Sequence, residues 1–221
     1  MALYKAEQQG IKIDALVTSV NAATNRISMH GVRRELLEAQ AAAAGLPLYT
    51  IELPEMPDMK TYEDAVHLMH RRLAAENFTQ AVFGDIFLED LKAYREELLF
   101  EDGLQALFPL WKKDTTVLMK EFVASGFKAV AVCINSNLLD PGFCGRLLDE
   151  SFVADLPANV DPCGENGEYH SFVFAGPVFS KLIKIHKGET VFKEYPTPTA
   201  NDCFTTPKPN AGFWFQDLIL R

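Results

Sequence analysis

No cysteine in this chain stands within three residues of another. Cys133, Cys144, Cys163 and Cys203 are scattered, which excludes the zinc ribbons and redox dithiols built on a CxxC pair. Nor does any run approach the roughly 18 apolar residues that a membrane span needs, and no basic stretch leads into an apolar one at the start, as a secretory signal would. Internal repeats and low-complexity tracts are missing as well. Positive charge is scarce: 21 Lys and Arg face 30 Asp and Glu, for a formal charge of −9. Such a balance suits neither a nucleic acid backbone nor an anionic bilayer, so neither partner is expected. The scattered thiols read as reduced, and a cytoplasmic location is expected.

What is present is an ordinary globular composition, 48% hydrophobic and 23% charged over 221 residues, enough for a real core and for small-molecule chemistry. Ala2 to Gln9 reads as a helix closed by Gly10. The strand-like IKIDALVTSV, Ile11 to Val20, follows, then a loop and a helix over Gly31 to Ala44 stopped by Gly45 and Pro47. Leu48 to Leu53 reads as a strand, Tyr62 to Asn77 as a helix and Phe78 to Ile86 as a strand. This alternation predicts an α/β fold: a Rossmann-like parallel sheet flanked by helices, with ligands beyond the carboxyl ends of the strands. A helix over Leu88 to Leu99 comes next, and Asp114 is the expected cap of a helix reaching Ser125. From Phe127 the character changes to one buried strand, FKAVAVCIN, and proline-richer loops. The expected division is 1–126 for the sheet domain and 127–221 for a smaller α+β region.

Four places carry candidate chemistry. Gly84-Asp85-Ile86 ends a strand, where a small residue admits a ligand and a carboxylate can meet it; alternatively Asp85 caps the next helix. His30, in Met29-His30-Gly31, lies ahead of a helix, facing a base or phosphate or merely capping that helix. Arg146 offers a planar fork to an anion, or an ion pair to Asp149 or Glu150. The densest stretch is VDPCGENGEYHSF, Val160 to Phe172. Cys163, Glu165, Glu168 and His170 are all metal-ligand types, yet alternation along a strand from Glu168 to Phe174 directs only Glu168 and His170 to one face. Gly164 and Gly167 instead suggest a tight turn aiming Glu165 and Glu168 into a cleft, to hold a cation or take a proton from an amine; a solvated hairpin is the plain alternative.

Gly84-Asp85-Ile86, Pro109-Leu110-Trp111, Gly145-Arg146 through Phe152 and, above all, Gly164-Glu165-Asn166-Gly167-Glu168-Tyr169-His170 resemble the diphthine-ammonia ligase family of the PP-loop, or adenine nucleotide alpha-hydrolase-like, superfamily. The resemblance runs in order through nearly the whole chain. It implies an ATP-binding domain, Mg2+ to offset the triphosphate, and adenylation of a carboxylate followed by displacement of AMP by ammonia. In an archaeon or eukaryote the acceptor would be diphthine on translation elongation factor 2; in a bacterium it would be another carboxylate. Homo-oligomerisation is compatible with the sequence. The resemblance places Thr18, Ser19, His30, Gly84 and Asp85 on the nucleotide side. Glu165, Glu168 and His170 become the catalytic candidates, with Arg146, Gly164, Asn166, Gly167 and Tyr169 on the acceptor substrate, and no resident protein-bound metal is assigned. The family's phosphate-binding signature, Ser-Gly-Gly-Lys-Asp-Ser, belongs just ahead of ALYKAEQQGIKID, so Met1 is expected to be an internal residue preceded by a strand and that loop. Two rival readings are a non-catalytic nucleotide-binding protein and a metal-dependent hydrolase built on Cys163, Glu165 and His170.

Overall fold

A computed structural model describes residues 1–28, 30–195 and 212–221; Met29 of the His30 motif and the thiol of Cys203 lie outside them. The chain opens with helix α1 (Ala2–Gln8), and Gly10 follows in the left-handed conformation at φ 77°. Strand β1 (Leu16–Asn21) begins five residues later than the alternation of apolar residues predicts. Its parallel partner β3 (Leu48–Leu53) decides this, because Leu16 pairs with Leu48 and the Leu16 N–H already reaches the Pro47 carbonyl at 2.9 Å. Ahead of Leu16 the β3 chain offers no further strand.

Between β1 and β3 lie a short antiparallel strand, β2 (Arg26–Ile27), hidden in the Asn/Thr/Ser loop, and helix α2 (Arg34–Ala44). The helix ends, as expected, on Gly45 at φ 70°. Helix α3 (Met59–Ala75) is capped by Asp58, whose carboxylate accepts the Thr61 N–H at 2.7 Å. Strand β4 (Gln80–Val82) is shorter than the predicted Phe78–Ile86, since its parallel partner β5 (Gln105–Leu107) supplies three residues of ladder. The segment from Gly84 therefore peels away as a loop. Helix α4 (Glu89–Glu101) joins β4 to β5.

The class is mixed α/β with parallel strands flanked by helices. Its parallel pairs are β1-β3, with the antiparallel β2 on the other edge of β1, and β4-β5, in two separate hydrogen-bonded sets. Helix α5 (Thr115–Ala124) carries the expected Asp114 cap, which accepts the Val117 N–H at 2.8 Å. Beyond it, β6 (Lys128–Asn135), β7 (Tyr169–Ala175), β8 (Ile185–Glu194) and β9 (Gly212–Leu220) form an antiparallel sheet in the order β7-β6-β9-β8, with helix α6 (Glu150–Asp155) between β6 and β7 in the chain.

Strand β6 is covered on both faces. Val130 and Val132 join α2 in one core, whereas Ala129, Ala131 and Ile134 join α5 and α6 in another. A register shift between Ala131 and Cys133 explains why residues of opposite parity share a face, since one extra residue reverses the alternation. Through α2 this sheet is fastened to the amino-terminal half, while Ile51, Leu53, Val66, Met69, Leu73 and Leu98 close a third core between β3, α3 and α4. Among the described residues no helix is long and apolar enough to cross a membrane.

Candidate active site

The loop from Val160 to Glu168 is organised by its own carboxylates. Asp161 Oδ2 accepts the N–H groups of Cys163 and Glu165, both at 3.0 Å, which folds the chain into a compact turn. Glu168 lies just ahead of β7 and is 2% exposed. Its oxygens accept from Asp161 N at 3.0 Å, Asn166 N at 2.9 Å and Asn166 Nδ2 at 3.0 Å. Tyr169 closes the turn with its hydroxyl on the Pro162 carbonyl at 2.5 Å. Gly164, at φ 71°, has no room for a side chain, as a Cβ there would stand 2.8 Å from the Tyr169 carbonyl oxygen. Side-chain alternation predicts Glu168 and His170 on one face; in the structure Glu168 turns back into the loop, because three donors converge on it.

Glu165 is the member that reaches outward. Its Oε1 accepts the Ile86 N–H at 2.6 Å, and the Phe87 N–H lies on the same carboxylate. The glutamate-rich turn is thereby joined to Gly84-Asp85-Ile86. Burial raises the Glu165 carboxyl above its ordinary range; the Ile86 and Phe87 N–H groups oppose the rise, and the nearby charges of Asp85 and Asp161 add to it. Asp85 is 7% exposed and tied to α4 through Arg95 Nε at 3.1 Å, while that guanidinium lies over the Phe83 ring at 4.6 Å. Asp85 is therefore no helix cap: α4 is entered through Leu88 without a side-chain cap.

Cys163 belongs to the same turn. Burial, with Asp161, Glu165 and Asp114 nearby, pushes its thiol up to about 12, and the Sγ donates to the Thr115 carbonyl at 3.3 Å. That bond turns the Sγ toward α5, and among the described residues Cys163, Glu165 and His170 do not gather as a set of metal ligands, so the hydrolase reading finds no site. His170 also points elsewhere, meeting His30 with ring centroids 4.5 Å apart and planes tilted by 41°. Burial, and then the neighbouring His30, lower His170 to about 3; burial lowers His30 as well. Two neutral imidazoles thus meet where α2 is entered. His30 is not the cap of that helix, since Arg33 occupies the position.

Of the remaining candidates, Thr18, Ser19 and Arg146 lie outside the turn, and Gly167 belongs to it. Thr18 and Ser19 are half-buried on β1, opposite Thr50 and Ile51 of β3. Arg146 bonds Asp155 at 2.7 Å and Ser151 at 3.3 Å, with its guanidinium over the Phe143 and Phe152 rings. Its ion pair goes to Asp155 and not to Asp149, because Asp149 already caps α6 through the Phe152 N–H at 2.9 Å. Gly167, at φ 81°, faces open space. Sequence reasoning passes over two contributors. Asp161 is legible as the Asx residue opening the turn, whereas Arg95 is a helical arginine like any other until the fold brings it to Asp85.

Comparison with known proteins shows the family. Residues 1–106 match the family model described as diphthamide synthase N-terminal domain, and residues 114–197 match its C-terminal domain. The chain is 31% identical over 176 residues to the diphthine-ammonia ligase of Danio rerio, a match covering 72% of this chain and 69% of that protein. The Homo sapiens and Rattus norvegicus proteins of the same name are each 27% identical over 175 residues, covering 72% of this chain and 66% of theirs. The chain thus spans about two thirds of the relatives it matches.

Proposed function

Since the chain belongs to the diphthine-ammonia ligase family, we propose that it joins ammonia to a carboxylate at the expense of ATP, with diphthine the acceptor, and that Glu165 and Asp85 stand at its reacting centre. The observation that carries the placement is the 2.6 Å bond from the Ile86 N–H to Glu165, which sets the glutamate-rich turn against the loop after β4. In α/β folds that loop position, past the carboxyl end of a parallel strand, is where ligands bind.

The chemistry balances in two steps. A carboxylate oxygen of the acceptor attacks the α-phosphorus of ATP and expels pyrophosphate; ammonia then attacks the acyl carbon, and AMP leaves with that oxygen. Glu165, held above the usual carboxylate range, is suited to accept the proton shed by the attacking nitrogen. The neighbouring negative charges of Asp85, Asp161 and Glu165 also favour a cationic acceptor group. Glu168 and Asn166 act as positioning residues, holding the turn from which Glu165 reaches out. Gly164, Gly167 and Tyr169 give the turn its shape, and Arg146 anchors α6 at the acceptor side. Thr18, Ser19 and His30 are assigned to the nucleotide side on the strength of the family, the first two in the middle of β1 and the third just ahead of α2.

The residues present fit Mg2+. Asp85 is buried and Glu165 half-buried, near enough for their charges to repel each other, which a divalent cation would relieve, and Mg2+ in nucleotide sites takes only one or two carboxylates beside the phosphates. The ion would supply charge neutralisation of the triphosphate. A cytoplasmic protein acting on translation elongation factor 2 completes the reading. The test is incubation with ATP, Mg2+, ammonium and factor 2 carrying diphthine: AMP and pyrophosphate should appear only when acceptor and ammonium are both present. ATP binding without turnover under these conditions would make the protein a nucleotide-binding module.

A further inference from the structure

Where α3, packed on β3, meets α4, three side chains converge that the ligase reading does not use. His67 and His70 lie one turn apart on α3, and Asp102 is the residue that closes α4. Both rings present the same nitrogen to the same oxygen: Nδ1 of His67 is 2.6 Å and Nδ1 of His70 is 3.2 Å from Asp102 Oδ2. The carboxylate is 2% exposed, and the two imidazoles are 16% and 13% exposed, so the cluster is shielded yet reachable.

Each outer atom of the trio is held from behind. Asp102 Oδ1 takes the Arg71 Nε–H at 3.0 Å, which leaves Oδ2 to the histidines. His67 Nε2 faces Glu101 Oε2 at 3.4 Å, the carboxylate-histidine arrangement that in metal sites fixes the ring and leaves the other nitrogen bare for the ion. The Leu98 carbonyl engages the His70 ring in the same way. We propose that His67 Nδ1, His70 Nδ1 and Asp102 Oδ2 bind one Zn2+, which clamps α3 to the end of α4 and keeps a fourth position open to water.

Ligand chemistry selects the ion. Two imidazoles and one carboxylate suit zinc, whereas Mg2+ and Ca2+ prefer all-oxygen sets. Geometry agrees: bonds of about 2.0–2.1 Å in a tetrahedron separate ligand atoms by roughly 3.3 Å. His70 and Asp102 already have that spacing, His67 lies closer to Asp102 at 2.6 Å, and all three ligand atoms fall within 4.8 Å of one another. The sequence carries the signal only as H-x-x-H on a helix, since Asp102 lies thirty-two residues further on and joins through the packing of α3 on α4.

The experiment is metal analysis and calorimetric titration of the whole protein with Zn2+ after chelation, followed by Co2+ substitution. One equivalent per chain, a visible band of tetrahedral cobalt and a higher Tm with zinc are expected. The double variant His67→Gln/His70→Gln should lose all three. Because it could also lose helix packing, Glu101→Gln serves as a second variant: Glu101 is exposed, so the fold persists while zinc affinity falls roughly 10- to 100-fold. Failure of the wild-type protein to take up zinc, or unchanged affinity in both variants, overturns the proposal.

Discussion

Replacing Glu165 by Gln separates what this carboxylate does for the fold from what it does for chemistry. Its Oε1 satisfies the Ile86 N–H at 2.6 Å, and a glutamine carbonyl can accept the same bond. The loss is then the difference between a charged and a neutral acceptor, about 1 kcal/mol. Against it stands a gain, since the native group is a half-buried carboxylate with Asp85 and Asp161 as like-charged neighbours. Its folded pKa is raised above the ordinary 4.5, so the folded protein holds this proton more tightly than the unfolded chain does. The favourable contribution is therefore present below about pH 4.5 and is lost as pH rises through the folded value; at neutral pH the charge costs stability. Glu165→Gln should thus keep the urea midpoint within about 1 kcal/mol of wild type, while Glu165→Ala, leaving the Ile86 N–H unpaired, should lose about 1–3 kcal/mol. Both variants should lose at least about 10²-fold in AMP release, the usual scale for a proton acceptor. The reasoning fails if Gln destabilises as much as Ala, or if Gln turns over at the wild-type rate.

Glu168→Gln should retain ATP binding but lower product formation, whereas Glu168→Ala should lower stability by about 1–3 kcal/mol, because three donors lose their acceptor; calorimetry and urea unfolding read the two effects. Gly164→Ala should cost about 1–3 kcal/mol in Tm-derived stability from its φ of 71° and the close Tyr169 carbonyl, and an unshifted Tm would contradict the turn geometry. His170, at about 3 when folded against 6.5 unfolded, binds fewer protons in the folded state, so its contribution is complete above pH 6.5 and declines below it. Between pH 6.5 and 5 this amounts to about 2 kcal/mol, and the variant His170→Phe should show a shallower acid limb in urea titrations; parallel limbs would refute the burial argument.

Local signals account for most of what the sequence revealed. Asp114, Gly45 and the strand Leu48 to Leu53 were legible because cap, stop and β-branched run are short-range features. Strand lengths were less so: the amino end of β1 and the carboxyl end of β4 depend on how far their partners extend, a property of pairing that no single segment records. At the site, the turn's glycines and carboxylates announced a constrained loop. Which carboxylate looks inward was not legible, since Glu168 and Glu165 differ only in the donors that the folded loop places around them. The union of Gly84-Asp85 with Glu165 spans 79 positions to Ile86 and follows from the α/β order only as a shared neighbourhood. Arg95 on Asp85, Arg146 on Asp155 and His30 on His170 are tertiary pairings for which composition and periodicity carry no mark.

The central claim, activation of a carboxylate by adenylation and its capture by ammonia, is tested most directly by following the acceptor oxygen. With the acceptor carboxylate labelled with oxygen-18, the account predicts one labelled oxygen in the phosphate of the AMP released and an amide on the acceptor. Unlabelled AMP, or ADP with labelled inorganic phosphate, would contradict it.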